Sequence, residues 1–138
     1  MLNPPGDEAR LLAARTAFQR VTELAPQFAG GYGGLAYTHV FAEVFGHTDE
    51  VEAERDIALD LASRALELDP TYGLAYFVQA MVALGRRQHD DEVALSERGL
   101  AVQPGDAYLN AYHAFFLATN GDAAAGIPYG QRRYASIP

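Results

Sequence analysis

The chain has 138 residues, 10 basic and 18 acidic, giving a net charge of −8. It contains no Cys, no Trp and no Lys, so every basic residue is Arg. This excludes disulfides, thiolate metal sites and a cysteine nucleophile, and it argues against a nucleic-acid or anionic-membrane surface, which needs clustered positive charge.

Apolar residues at 3, 4 spacing (Leu11, Ala14, Phe18, Val21) predict a first helix over 7–25, closed by Pro26. A glycine-rich start, Gly30 to Gly34, opens a second helix over 29–45. Asp49 followed by Glu52 has the form of a capping box and opens a third helix over 50–68, with Ile57, Leu61, Ala65 and Leu68 as its apolar stripe. Further helices are expected over 73–86, 90–102 and 107–120. Asn120-Gly121-Asp122 reads as a helix stop followed at once by an N-cap. A seventh helix, 123–136, is intrinsically poor: it holds Gly126 and Gly130, and Pro128 is tolerable only in its first turn. No segment alternates with period two, so no strand is predicted. No apolar run approaches the roughly 20 residues that span a bilayer. Met1 to Glu8 lacks the stretches of a signal peptide, and a cytoplasmic location is expected.

The chain also repeats itself. Pro26, Pro70, Pro104 and Pro138 close similar phrases at intervals of 44, 34 and 34 residues. Ten residues after the first three prolines stand Ala36, Ala80 and Ala114, and six residues after them stand Tyr32, Tyr76 and Asn110. The first interval is one repeat plus ten residues, assigned to the segment Phe45 to Glu52.

The sequence resembles a tetratricopeptide repeat (TPR) array. The resemblance is carried by Tyr32/Leu35/Ala36, Ala75/Tyr76/Ala80, Ala14/Phe18/Leu24/Pro26, Ala58/Ala65/Leu66/Pro70 and the Asn120-Gly121 turn, and it spans nearly the whole chain. It implies an all-α, right-handed superhelical solenoid of antiparallel helix hairpins with about seven helices, in one domain. The units are a half repeat over 7–25, a repeat with the insertion over 29–70, and repeats over 71–104 and 105–138. The insertion is similar to that of TPR arrays attached to bacterial class III nucleotide cyclases and related regulators. The chain departs from the family pattern in its fifth and seventh helices, where Glu92, Ser96 and Gly99, then Gly126, Gly130 and Arg133, replace the expected small or aromatic residues. No polar capping helix is evident, so a fragment is expected, or ends covered by a partner or by a second copy.

The resemblance further implies a partner-binding groove on the first helix of each repeat. The positions 4, 7, 11 and 14 after each proline place Gly33, Tyr37, Phe77, Met81, Tyr108 and Phe115 there, with Phe41 beside them. The absence of cations and amides from this set disfavours carboxylate capture and favours an apolar or amphipathic segment of a protein partner. A protein-interaction module is therefore expected, with no catalysis and no cofactor. The alternative is a regulatory segment packing on the effector domain of a nucleotide cyclase or transcription regulator. The G-x-G-x-x-A match in Gly31 to Ala36 follows a helix, which argues for packing glycines over a dinucleotide loop. His39, Glu43 and His47 lie at i, i+4 and i+8, and on a continuous helix the two histidines stand about 12 Å apart, too far for one metal ion. The acidic run Asp49 to Asp56 reads as a solvated helix start.

Overall fold

The computed structural model describes residues 6–135, and the side chains among them through residue 131. Pro138, Ser136 and the opening Met1 to Pro5 lie outside the described residues, as do the side chains of Arg132 and Arg133. Among the described residues there are seven α-helices and no strand. They are α1 (Asp7–Leu24), α2 (Ala29–Val44), α3 (Val51–Leu68), α4 (Gly73–Gly85), α5 (His89–Val102), α6 (Ala107–Thr119) and α7 (Ala123–Ala135). The chain divides into two compact units between Pro70 and Thr71. In the first, α2 packs on α1 and α3; in the second, α4 packs on α5, α5 on α6 and α6 on α7.

The proline phase sets the helix boundaries. α1, α3 and α5 each end two residues before a proline, and α2, α4 and α6 each begin three residues after it. The residue six positions on ties down the turn. Tyr32 donates its hydroxyl to the Pro26 carbonyl at 3.0 Å. Asn110 reproduces that bond with its amide, Nδ2 to the Pro104 carbonyl at 2.9 Å. Asn can therefore replace Tyr in the repeat without loss of this contact.

The three hairpins turn by one mechanism. Gly46, Arg87 and Gly121 have positive φ values of 70°, 58° and 85°. Each stands two residues past the end of α2, α4 or α6. At each, the next N–H reaches back to a helix carbonyl five residues earlier: His47 to Ala42 at 2.8 Å, Gln88 to Ala83 at 2.8 Å and Asp122 to Leu117 at 2.9 Å. This is the Schellman motif, in which a left-handed residue frees the chain to satisfy the last carbonyls. After the third turn Asp122 Oδ1 accepts from the Ala125 N–H at 3.3 Å, so the Asn120-Gly121-Asp122 stop and cap occur as read.

The ten extra residues are not confined to a loop. α2 and α3 have 16 and 18 residues against 13 and 14 in α4 and α5. The insertion thus adds about one turn to each helix, and only three residues to the connection. The cap is also displaced from the sequence reading. α3 begins at Val51 with Glu50 as its N-cap residue, no side chain caps it, and Asp49 stands outside the helix. Thr48 Oγ1 accepts from the Glu50 N–H at 3.0 Å, a local turn bond just before the helix.

Glycines mark close helix approach. A Cβ on Gly34 would enter the Phe18 ring, and one on Gly31 would stand 3.0 Å from Val21. α1 therefore seats its aromatic and β-branched side chains in notches on α2. In the second unit a Cβ on Gly126 would stand 2.9 Å from the Ala114 carbonyl oxygen. The glycine that weakens α7 as an isolated helix is what lets α7 lie against α6. Pro128 is the sixth residue of α7, beyond the first turn, so the Ala124 carbonyl has no helix donor there.

Candidate functional site

The residues expected to bind a partner fall into separate settings. In the first unit, Gly33 is buried in α2, while Tyr37 and Phe41 are half-buried and stacked, ring centroids 4.3 Å apart. Phe45 continues the row at 5.3 Å from Phe41. In the second unit, Phe77 is only 1% exposed and Met81 is half-buried. Tyr108 and Phe115 are 38% and 45% exposed. With Ala111 and Tyr112 they line an open cavity of about 280 Å³ on α6.

The α6 surface follows from its sequence. Ala107-Tyr108-Leu109-Asn110-Ala111-Tyr112-His113-Ala114-Phe115-Phe116 carries no charged residue. Leu109, Asn110, His113 and Phe116 take the buried face, which leaves Tyr108, Tyr112 and Phe115 along the other. Phe77 lies beneath them, 5.4 Å from Tyr108 and 4.4 Å from Tyr112 between centroids. It supports the surface rather than presenting one. Tyr112 is the lining residue that the repeat register missed. Its i+4 spacing from Tyr108 was the available signal, since such pairs share a helix face.

The departures in α5 fill the buried face of the repeat. Glu92, Ser96 and Gly99 occupy the positions that Ala58, Ala62 and Ala65 hold in α3, 34 residues earlier, and all six are buried. Glu92 is 0% exposed; its Oε1 accepts from Thr119 Oγ1 at 2.9 Å and its Oε2 lies 3.4 Å from His89 Nδ1. Ser96 Oγ lies 2.6 Å from His113 Nδ1 and 2.8 Å from the Val93 carbonyl. The carbonyl can only accept, so the serine proton goes to it and His113 Nδ1–H donates to the serine oxygen. A serine held this way is a packing group, with its proton on its own helix.

Of the three side chains weighed as metal ligands, His39 and Glu43 are engaged elsewhere. His39 Nδ1 pairs with Glu54 Oε2, and Arg15 Nη2 reaches the same oxygen at 3.3 Å and the Thr38 carbonyl at 3.3 Å. This cluster joins α1, α2 and α3. Burial holds His39 below its ordinary pKa, the Arg15 charge adds to that, and the bond to Glu54 opposes it. Glu43 is bound by Arg55 through both oxygens, at 3.1 and 2.5 Å. That bidentate clip spans the extra turn of α2 and α3, and Arg55 also reaches Glu52 at 2.5 Å. His47 Nε2 is buried with no hydrogen-bond partner. Among the described residues no three His, Asp or Glu side chains stand together as metal ligands would. No helix of the described residues is long and apolar enough to cross a membrane.

No protein-family model matches the chain, and no curated protein matches it in sequence. Solved structures do match in fold. A thermophilic TPR protein of Thermus thermophilus, TTC0263, aligns with a TM-score of 0.78 at 14% identity, over 94% of this chain and 67% of that one. A structure of MamA protein aligns with a TM-score of 0.62 at 17% identity, over 91% of this chain and 63% of that one. A third, MamA MSR-1 C2, aligns with a TM-score of 0.58 at 14% identity, over 92% of this chain and 67% of that one. The chain thus spans about two thirds of the length of these structures. At these identities the likeness is one of fold, and the fold is an all-α, TPR-like array of helix hairpins.

Proposed function

We propose that the chain is a non-catalytic protein-interaction module, and that the α6 surface of Tyr108, Ala111, Tyr112 and Phe115 seats an apolar or amphipathic segment of a protein partner. The observation that carries this is the exposed pair Tyr108 and Phe115 around an uncharged cavity, resting on a buried Phe77 floor. Aromatic anchors with a packed support lose little side-chain freedom on binding and dominate interface energies. A fold shared with a TPR protein supports the same reading. Tyr37 and Phe41 are the corresponding aromatics of the first unit and form a second candidate contact.

The test is selection of helical peptides displayed against the purified chain. Selected peptides are expected to carry apolar residues at i, i+3 or i+4, and i+7, and Phe115→Ser should weaken them by at least about tenfold. Peptides that bind Phe115→Ser unchanged would overturn the proposal. An effector domain of the same polypeptide, as the cyclase-type resemblance implies, would use the same surface, and flanking sequence encoding a cyclase or winged-helix domain selects that arrangement. Self-association is the competing use of exposed apolar surface, at Leu12 and Leu24 on α1 and Ile127 on α7. Light scattering that gives a monomer at high concentration excludes it.

A further inference from the structure

A second cavity, of about 200 Å³, lies in the second unit, away from the α6 aromatic row. Glu97, Leu100, Ala101, Pro104, His113 and Tyr129 line it. Three of these are apolar and form one wall. Among the described lining residues Glu97 carries the only charge, and it is negative. His113 is 1% exposed, yet it is one of the residues that line the cavity. Its tautomer follows from Ser96: Nδ1–H is spent on the serine oxygen, so Nε2 carries a lone pair and accepts. Burial lowers the His113 pKa, although the Glu97 charge acts in the other direction, so the ring stays neutral at neutral pH. The Tyr129 ring stands edge-on to His113, centroids 4.3 Å apart, and adds an aromatic wall.

This lining has a consistent chemistry. It offers a carboxylate and an imidazole acceptor, an aromatic ring and an apolar wall. A hydrogen-bond donor with positive charge satisfies the first two, stacks on the third and lays an aliphatic stem along the fourth. We propose that this cavity is a binding site for an alkylguanidinium or alkylammonium group, the chemistry of an Arg or Lys side chain or of a free aliphatic amine. The volume fits one such group. The Glu97 charge disfavours an anion, and a neutral apolar group would gain nothing from the carboxylate or the imidazole. The site stands on α5, α6 and α7 and does not depend on the proposed α6 docking surface.

The experiment is an NMR titration of the full chain with butylguanidinium, with butyrate as the anionic control. Acetyl-arginine methylamide is titrated separately. Butylguanidinium is expected to give saturable shifts at His113 and Tyr129, and butyrate none. Glu97→Gln keeps the side-chain shape at an exposed position and should weaken binding by roughly tenfold. Tighter binding of the blocked arginine than of the free cation assigns the site to a protein side chain, and the reverse order assigns it to a free amine. Non-saturable shifts, or equal affinity of wild type and Glu97→Gln, overturn the proposal. Thermal melting of Glu97→Gln shows that the variant is folded; if it is not, Glu97→Asp, which shortens the reach, should show the same loss.

Discussion

The two units share a repeat yet hold themselves together differently. Residues 1–70 contain five Arg and twelve Asp or Glu; residues 71–138 contain five Arg and six. Nearly all of the net charge therefore belongs to the first unit. Its helices meet through small residues: Gly31, Gly34 and Ala36 of α2, and Ala58, Ala62 and Ala65 of α3, are all buried. Its long hairpin is clipped by ion pairs, Arg55 with Glu43 and Arg15 with Glu54. The second unit has Glu92, Ser96 and Gly99 where α3 has alanines, and it answers with side-chain bonds to Thr119 and His113. Its volume is filled by rings, with Phe77 and Phe116 fully buried under Tyr108 and Tyr112. The lesson is that a repeat position specifies burial, not residue type. A methyl group, a bonded carboxylate or a glycine can each fill it, provided the facing helix supplies the remainder.

That contrast can be broken from either side. Phe116→Ala should be the most damaging change, costing about 3–5 kcal/mol, because the ring is fully buried against Phe77, Tyr112 and Phe115. Urea unfolding of wild type and variant measures it. Gly34→Ala attacks the first unit in the opposite sense. Its methyl group enters the Phe18 ring, and the overpacking should cost about 1–3 kcal/mol. Combining it with Phe18→Leu should recover part of the loss; additive losses would show that Gly34 is not a notch for Phe18.

A pH effect should be shared by both units. Burial lowers the pKa of His39 in the first and His113 in the second below the ordinary 6.5. Both therefore bind protons more readily in the unfolded chain. The stability tied to this is complete above pH 6.5 and falls as the pH drops through the lowered folded values. Melting temperature should decline on acidification from neutral pH, and His39→Gln and His113→Gln should each flatten the decline. A profile unchanged by both substitutions would contradict the assignment.

The smallest effect concerns the turns. Gly46 and Gly121 supply the left-handed residue of two hairpins, and Arg87 takes that conformation in the third. An L side chain pays about 1 kcal/mol there, so Arg87→Gly should stabilise the second unit by up to that amount in a thermal melt.

Much of this was legible in the sequence, for a physical reason. Prolines forbid helix continuation and small residues mark helix crossings, so Pro26, Pro70 and Pro104 with Ala36, Ala80 and Ala114 set the period, the helix order and nearly every boundary. The distribution of the insertion was not legible. Ten residues with helix-forming composition can lengthen two helices or bulge between them, and only the Gly46 turn with its pairing of Glu43 and Arg55 decides. The cap at Asp49 failed because α3 starts one residue later, with Glu50 at the N-cap position and the Glu52 carboxylate held by Arg55. The candidate surface was half legible: Tyr108 and Phe115 follow from the register, whereas the burial of Phe77 depends on which rings close over it. The Glu97 and His113 cavity carries no sequence signal, since its residues come from three helices with no fixed spacing.

We propose that a partner binds on the aromatic face of α6. The direct test is to map a selected amphipathic peptide on the amide spectrum of the chain. The expected result is that shifts concentrate at Tyr108, Ala111, Tyr112 and Phe115 and vanish in the Tyr108→Ser, Phe115→Ser double variant, while Leu24→Ser, an exposed apolar control in the first unit, leaves them unchanged. Shifts confined to the first unit, or persisting in the double variant, would contradict it.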